Sequence, residues 1–183
     1  MNNKVTRPDI FEMIIEVNKL FDVKYNPHFV YTQFAHETNH FKSRVFNEGN
    51  NVAGMKPSSY RKNHSGVFSK GEGQAIYDTI EDSIYDYFDY CDQTINGVHA
   101  PVKPYLNNAK KFFNEFKRRG YAEDKDYAEN LEKVYKSIFP NITIIKQKAE
   151  NLGFFKTPVL VTIGTAFAAF CVVIYNYFKS RNS

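Results

Sequence analysis

Tryptophan is absent from the 183 residues and cysteine nearly so, with only Cys91 and Cys171. Two thiols cannot build a disulfide framework. Cys91 falls on an amphipathic pattern and Cys171 inside an apolar run, so both are expected to be buried and unpaired. An excess of charge of one sign is also lacking, with 24 Lys and Arg against 20 Asp and Glu. The formal net charge of +4 favours an anionic partner such as a wall or lipid surface and is too small for nucleic acid. No stripe of Lys and Arg interleaved with aromatics occurs outside Lys110–Arg119, which reads as the solvated face of a helix. Met1–Arg7 is polar, and the stretch after it is broken by Asp9, Glu12 and Glu16, so no signal-peptide core is read there. No internal repeat is present. What the chain has in quantity is Phe and Tyr, 17 and 13 of them.

A long uncharged run does occur, near the C-terminus. Val159–Phe178 carries no charged side chain, and twenty residues of helix span roughly 30 Å, the thickness of a bilayer's hydrocarbon core. Phe154 and Phe155 flank it on one side and Tyr175, Tyr177 and Phe178 close the other, with Lys156 and Lys179 bracketing the run. Because the run is apolar on every side, a transmembrane helix over 158–178 is expected rather than a core helix. Gly164 and Ala168 form a small-xxx-small pair through which two such anchors could self-associate. Lysines on both flanks leave the orientation open.

The rest divides into a domain over 5–140 and a connector over 141–157. Periodicity and capping residues predict five helices in the domain. The first enters at Thr6-Arg7-Pro8-Asp9 and runs to about Phe21, with Ile10, Ile14, Val17 and Phe21 on one face. The second begins at Asn26-Pro27. The third opens at Thr79, with Ile80, Ile84, Tyr87, Phe88, Cys91 and Ile95 at helical spacing. The fourth covers Pro104–Arg119, with Leu106, Ala109, Phe113 and Phe116 inward, and Gly120 ends it. The fifth runs from Asp126 to Phe139, with Tyr127, Leu131, Val134 and Ile138 inward. Between the second and third lies a Gly-, Asn- and Ser-rich stretch. It fits a small hairpin, Gly66–Phe68 paired with Gln74–Tyr77 across Gly71-Glu72-Gly73.

The second helix carries the segment that bears on chemistry, Thr32-Gln33-Phe34-Ala35-His36-Glu37-Thr38-Asn39-His40-Phe41. If the helix continued through it, Val30, Phe34 and Phe41 would fall within about 60° of Glu37. A carboxyl in such an apolar stripe is pushed toward its protonated form, which is what protonating a glycosidic oxygen requires. The same residues also spell His-Glu-x-x-His, a zinc-protease pattern. That pattern needs a third ligand, and the extended version fails because Ser43 and Phe46 occupy its Gly and His positions. Glu81, a conceivable distant ligand, is already explained by its place in a helix's first turn. No metal and no cofactor are therefore expected.

Four stretches in order then resemble one family, the bacterial glucosaminidase-domain peptidoglycan hydrolases. Gln33 and Glu37-Thr38 match an Ala-Gln-Ala-x-x-Glu-[Ser/Thr] stretch that carries the family's acid. Asn50-Asn51-Val52-Ala53-Gly54-Met55-Lys56 is similar to Asn-Asn-Leu-Phe-Gly-Ile-Lys. Ala75–Tyr87 looks like a strand-into-helix block, and Gly120–Ala128 resembles Gly-Tyr-Ala-Thr-Asp-Pro-x-Tyr-Ala. The resemblance covers roughly Phe29–Ile138. It implies a mainly α, lysozyme-like domain with a small β-hairpin lobe and hydrolysis of the β-1,4 bond after N-acetylglucosamine.

By the same resemblance Glu37 is the general acid and Tyr77 lines the site. Asn51 and Gly54 shape the loop beneath it, Tyr121 holds the junction of the last two helices, and Gln33 and His40 join them as substrate-binding residues. The second carboxylate departs from the pattern. Glu72 in the short hairpin turn is the candidate base, with Glu48 the other possibility. With one carboxylate settled, a lytic transglycosylase or an inactive wall-binding module stay open as alternatives. An anchored wall enzyme without an export signal would be reconciled with its substrate if a bacteriophage carried it in the membrane of a lipid-containing virion.

Overall fold

The computed structural model describes residues 7–58, 61, 64–67, 73–95 and 98–142. Helix α1, Arg7–Asn18, buries Ile10, Ile14 and Val17 on one stripe. Its last residue closes the following loop, because Asn18 Nδ2 donates to the Tyr25 carbonyl at 2.8 Å and Asn18 Oδ1 accepts from the Tyr25 amide at 3.1 Å. Helix α2, Pro27–Glu37, starts where Asn26 accepts from the His28 amide and Pro27 supplies a pre-set φ. Every residue from Phe29 to Ala35 is buried, so α2 is the central helix of the fold, packed on α1 and on two later helices.

Helix α3, Arg44–Gly49, is a short piece capped by Ser43 and ended by Asn50 in the left-handed conformation. Strands β1, Gly66–Val67, and β2, Ala75–Ile76, pair antiparallel with Gly66 opposite Ile76. Helix α4, Ile80–Cys91, begins with a reciprocal capping box between Thr79 and Asp82. Strands β3, Thr94–Ile95, and β4, Val98–His99, form a second antiparallel ribbon. Helices α5, Ala109–Arg118, and α6, Tyr127–Ile138, pack on each other, and both pack on α2. The described residues up to Asn141 make one compact unit.

Aromatic rings fill the space that tryptophan would otherwise take. Phe29 meets Phe112, Phe113 and Tyr135, while Tyr87 stacks on Phe116 at 5.8 Å and meets Phe34 edge-on at 4.9 Å. Each buried ring of this size contributes about 1.5–3 kcal/mol relative to exposure. A mainly helical domain with a small hairpin is therefore what the sequence builds.

The boundaries differ from expectation in several places, the first being that α1 ends at Asn18, short of Phe21. The fourth predicted helix starts at Ala109, not Pro104, because Tyr105 has a positive φ of 39° and the Asn108 side chain caps the Lys111 amide. Leu106, expected inward, lies in that turn and is 48% exposed. The third predicted helix stops at Cys91, so Ile95 belongs to β3. Helix α3 and the β3–β4 ribbon were not foreseen, since six residues and two residues are too short to show a period. Finally, α2 ends at Glu37, and Phe41 is not on its face.

Cys91 is a buried free thiol. Cys171, the connector beyond Ile142 and the apolar run 158–178 lie outside the described residues. Among the described residues no helix is long and apolar enough to cross a membrane.

Candidate active site

Glu37 is the last residue of α2, and the chain turns sharply behind it. Asn39, His40 and Phe41 take φ of 48°, 57° and 62°, a run of three left-handed residues without a glycine. Thr38 holds this turn. Its hydroxyl donates to the Phe34 carbonyl at 2.6 Å and accepts from the Phe41 amide at 2.9 Å, and its carbonyl accepts from the amides of Lys42 and Ser43. Phe41 is thereby seated between Tyr31 and Phe46. The turn also separates His36 and His40 from the shared helical face that a zinc pattern needs. Among the described residues no group of three His, Cys, Asp or Glu side chains is placed to hold a metal.

Glu37 is half-buried, with its carboxyl held on one side. Tyr127, at the start of α6, donates from its hydroxyl to Glu37 Oε1 at 2.6 Å. The Tyr127 oxygen in turn accepts from Gln33 Nε2 at 3.0 Å, and Gln33 Oε1 accepts from the Tyr87 hydroxyl at 2.8 Å. Burial pushes the Glu37 carboxyl from 4.5 up to about 7, and the Tyr127 hydrogen bond restrains the rise. A carboxyl at a helix C-terminus also faces the negative end of the peptide dipoles, which favours the neutral acid further. Burial and the nearby Glu37 carboxyl hold the Tyr127 phenol well above its usual range, so it stays a donor.

Oε2, the other oxygen, faces the loop after α3. Gly54 stands there with φ of 61°, and a Cβ built on it would lie 3.7 Å from Oε2. Asn51, completely buried, braces this loop: its amide donates to the carbonyls of Met55 and Ala75, and its oxygen accepts from the amides of Ala53 and Met55. Tyr121, from the α5–α6 junction, donates to the Ala53 carbonyl at 2.6 Å. Loop, α2 and α6 thus converge on one carboxyl.

The Glucosaminidase family model, described as mannosyl-glycoprotein endo-beta-N-acetylglucosaminidase, matches residues 13–139. The chain belongs to the glucosaminidase family. It is a glycosidase by that membership. The fold of this glucosaminidase also occurs in solved structures. One is a type VI secretion system effector–immunity complex from Pseudomonas protegens, at 14% identity and TM-score 0.58 over 75% of this chain and 91% of that one. The catalytic domain of the autolysin Auto from Listeria monocytogenes matches at 20% identity and TM-score 0.54, over 75% and 87%. A peptidoglycan hydrolase from Sphingomonas sp. A1 matches at 22% identity and TM-score 0.55, over 68% and 82%. No curated protein matches the chain.

Among the sequence-predicted site residues of this glucosaminidase, Glu37, Gly54, Asn51 and Tyr121 come together as described. Gln33 joins them from behind, buried and bonded to two tyrosines, so it reaches Glu37 through Tyr127. Tyr77 is buried with its hydroxyl donated to Asp86 Oδ2 at 2.7 Å, and Asp86 is paired with Arg61 at 3.2 Å. Its amide donates to the Gly49 carbonyl, so Tyr77 ties β2 to the end of α3 and does not bond Glu37. His40 sits half-buried in the left-handed turn. Glu48 is exposed and ion-paired with Arg44 at 2.8 Å. Glu72 lies outside the described residues.

Sequence reading placed Tyr127 in the core of the last helix and missed its bond to Glu37. The available hint was a phenol, with a polar tip, inside the Gly120–Ala128 stretch. Its partner 90 residues away carries no sequence mark.

Proposed function

We propose that this glucosaminidase cleaves the β-1,4 glycan backbone of peptidoglycan, with Glu37 as general acid. The feature that carries the reading is the Glu37 carboxyl itself: half-buried, pushed up to about 7 by burial, clamped at Oε1 by Tyr127 and turned toward Gly54 at Oε2. With Tyr127 donating to Oε1, the acid proton belongs on Oε2. Passing it to the glycosidic oxygen lets the C1–O bond break as positive charge builds on the sugar ring. Water completes the cleavage, and Glu72, which lies between β1 and β2 in the sequence, is the proposed base. Peptidoglycan is favoured as substrate because two fold relatives, an autolysin and a peptidoglycan hydrolase, carry those names. His40, Gly54 and the Tyr121-held loop would border the sugar.

The apolar run 158–178 supports a membrane anchor for this domain, with self-association through Gly164 and Ala168. The membrane of a lipid-containing virion is one in which an anchored wall hydrolase would be carried to its substrate. Detergent-extractable protein in purified particles, active on walls after the particles are opened, is the expected result there.

Mass spectrometry of muropeptides tests the chemistry. Wild-type protein is expected to release reducing N-acetylglucosamine ends, and Glu37→Gln to release none while keeping its helical circular dichroism. Anhydro ends would reassign the reaction to transglycosylation. Full activity in Glu37→Gln would remove the assignment.

A further inference from the structure

Gln33 and Tyr87 stand behind Glu37, both completely buried and out of reach of a sugar. Their hydrogen bonds nonetheless have a direction. A primary amide donates only from nitrogen and accepts only at oxygen, so it transmits polarity from one neighbour to the next. Tyr87 gives its proton to Gln33 Oε1. Gln33 Nε2 gives one to the Tyr127 oxygen. The one proton Tyr127 owns is then left for Glu37 Oε1.

We infer that Gln33, oriented by Tyr87, is a positioning residue that confines the acid proton of Glu37 to Oε2, the oxygen beside Gly54. If the Gln33 amide turned over, its oxygen would compete for the Tyr127 proton. Glu37 would then donate from Oε1 to the Tyr127 oxygen. The acid proton would sit on the oxygen turned into the protein, a carboxyl's width from the glycosidic oxygen. Among the described residues the titratable groups facing Glu37 are Tyr127 on α6 and Tyr121 from the α5–α6 junction, with His36 its chain neighbour. None of them fixes the direction, because each of the two phenols can donate or accept. The inference rests on Glu37 being the general acid.

Two variants of the full chain test it, Gln33→Met and Tyr87→Phe, each close in shape to the residue it replaces. Both are expected to lower kcat by roughly tenfold, a fraction of what the acid itself supplies, with KM within about twofold. The protonated Glu37 carbonyl stretch, isolated as the infrared difference between each protein and its own Glu37→Gln counterpart, gives a second readout. It is expected as one band in the parent and as two in each variant, because two proton positions become populated. Should Gln33→Met fail to fold, Tyr87→Phe decides alone. Parent kcat and a single unshifted band in the folded variants would overturn the inference while leaving Glu37 as acid. An active Glu37→Gln would instead overturn the reading beneath it.

Discussion

The hydroxyl of Tyr127 donates a 2.6 Å hydrogen bond to Oε1 of Glu37, joining the first turn of α6 to the last turn of α2. Two opposed effects meet in that bond. Burial favours the neutral acid, while a donor aimed at the carboxyl favours the anion. Burial wins, and the carboxyl titrates at about 7. A general acid is most useful when it still holds its proton near working pH and is not reluctant to release it. Tyr127 therefore does more than orient the group.

Tyr127→Phe removes the donor and leaves the ring in place. The Glu37 carboxyl should then titrate above 7, because burial acts unopposed. The alkaline limb of the kcat/KM profile is expected to move to higher pH. The maximal rate should fall by roughly 10- to 100-fold, since the acid is weaker and less fixed. An unchanged alkaline limb in a folded Tyr127→Phe protein would contradict the role given to this bond.

Stability carries the same information with a defined sign. The folded state raises Glu37 above its unfolded value, so it favours the protonated form. That contribution is complete below pH 4.5 and is lost as pH rises through about 7. A rise from 4.5 to about 7 corresponds to roughly 3 kcal/mol. Glu37→Gln cannot ionise and should escape the loss. Chemical denaturation of the two proteins should diverge between pH 4.5 and 8, with Glu37→Gln increasingly the more stable. Parallel curves would mean that the carboxyl is not buried as described.

Gly54 tests the opposite wall of the site. Its φ of 61° disfavours any side chain, and a Cβ there points at Glu37 Oε2 from 3.7 Å. That distance is ordinary contact, so Gly54→Ala should fold, at a cost of about 1–2 kcal/mol from backbone strain. The methyl would occupy space beside the oxygen that carries the acid proton. Activity is expected to fall further than stability, mainly through KM, measured on soluble glycan fragments.

Much of this was legible in the sequence, and the reasons are local. Asn26-Pro27, Thr79 with Asp82, and Gly120 announce helix ends through their own side chains or their lack of one, so those boundaries fall close to expectation. Ile10, Ile14 and Val17 show the helical period that burial confirms. Glu37 stood out because an acidic residue followed a run of apolar ones. The tyrosines behind Glu37 were hidden because they are long-range: Tyr127 and Tyr87 look like core positions until the helices are packed. The end of α2 was hidden for a different reason. Neither glycine nor proline follows Glu37, and nothing in Thr38-Asn39-His40-Phe41 signals a left-handed turn except the tolerance of Asn for it. The hydrogen bonds around Thr38 decide the matter, and they form only after the chain has turned.

That turn can be tested at Asn39, which is exposed and has φ of 48°. If α2 continued through this position, as the zinc pattern requires, Ala would be the best replacement and Gly the worst, by about 1 kcal/mol. In the left-handed turn the order reverses. Gly meets no Cβ penalty, Asn tolerates the conformation, Ala is strained, and a β-branched side chain is strained most. Asn39→Gly should therefore match or slightly exceed the parent, because its relief of strain is partly offset by greater freedom in the unfolded chain. Asn39→Ala and then Asn39→Val should lose stability progressively, with Val lower by roughly 1–2 kcal/mol. Urea unfolding at fixed pH gives the ranking. An order with Ala above Gly would put Glu37 in mid-helix and return His36 and His40 to the helical spacing of the His-Glu-x-x-His pattern.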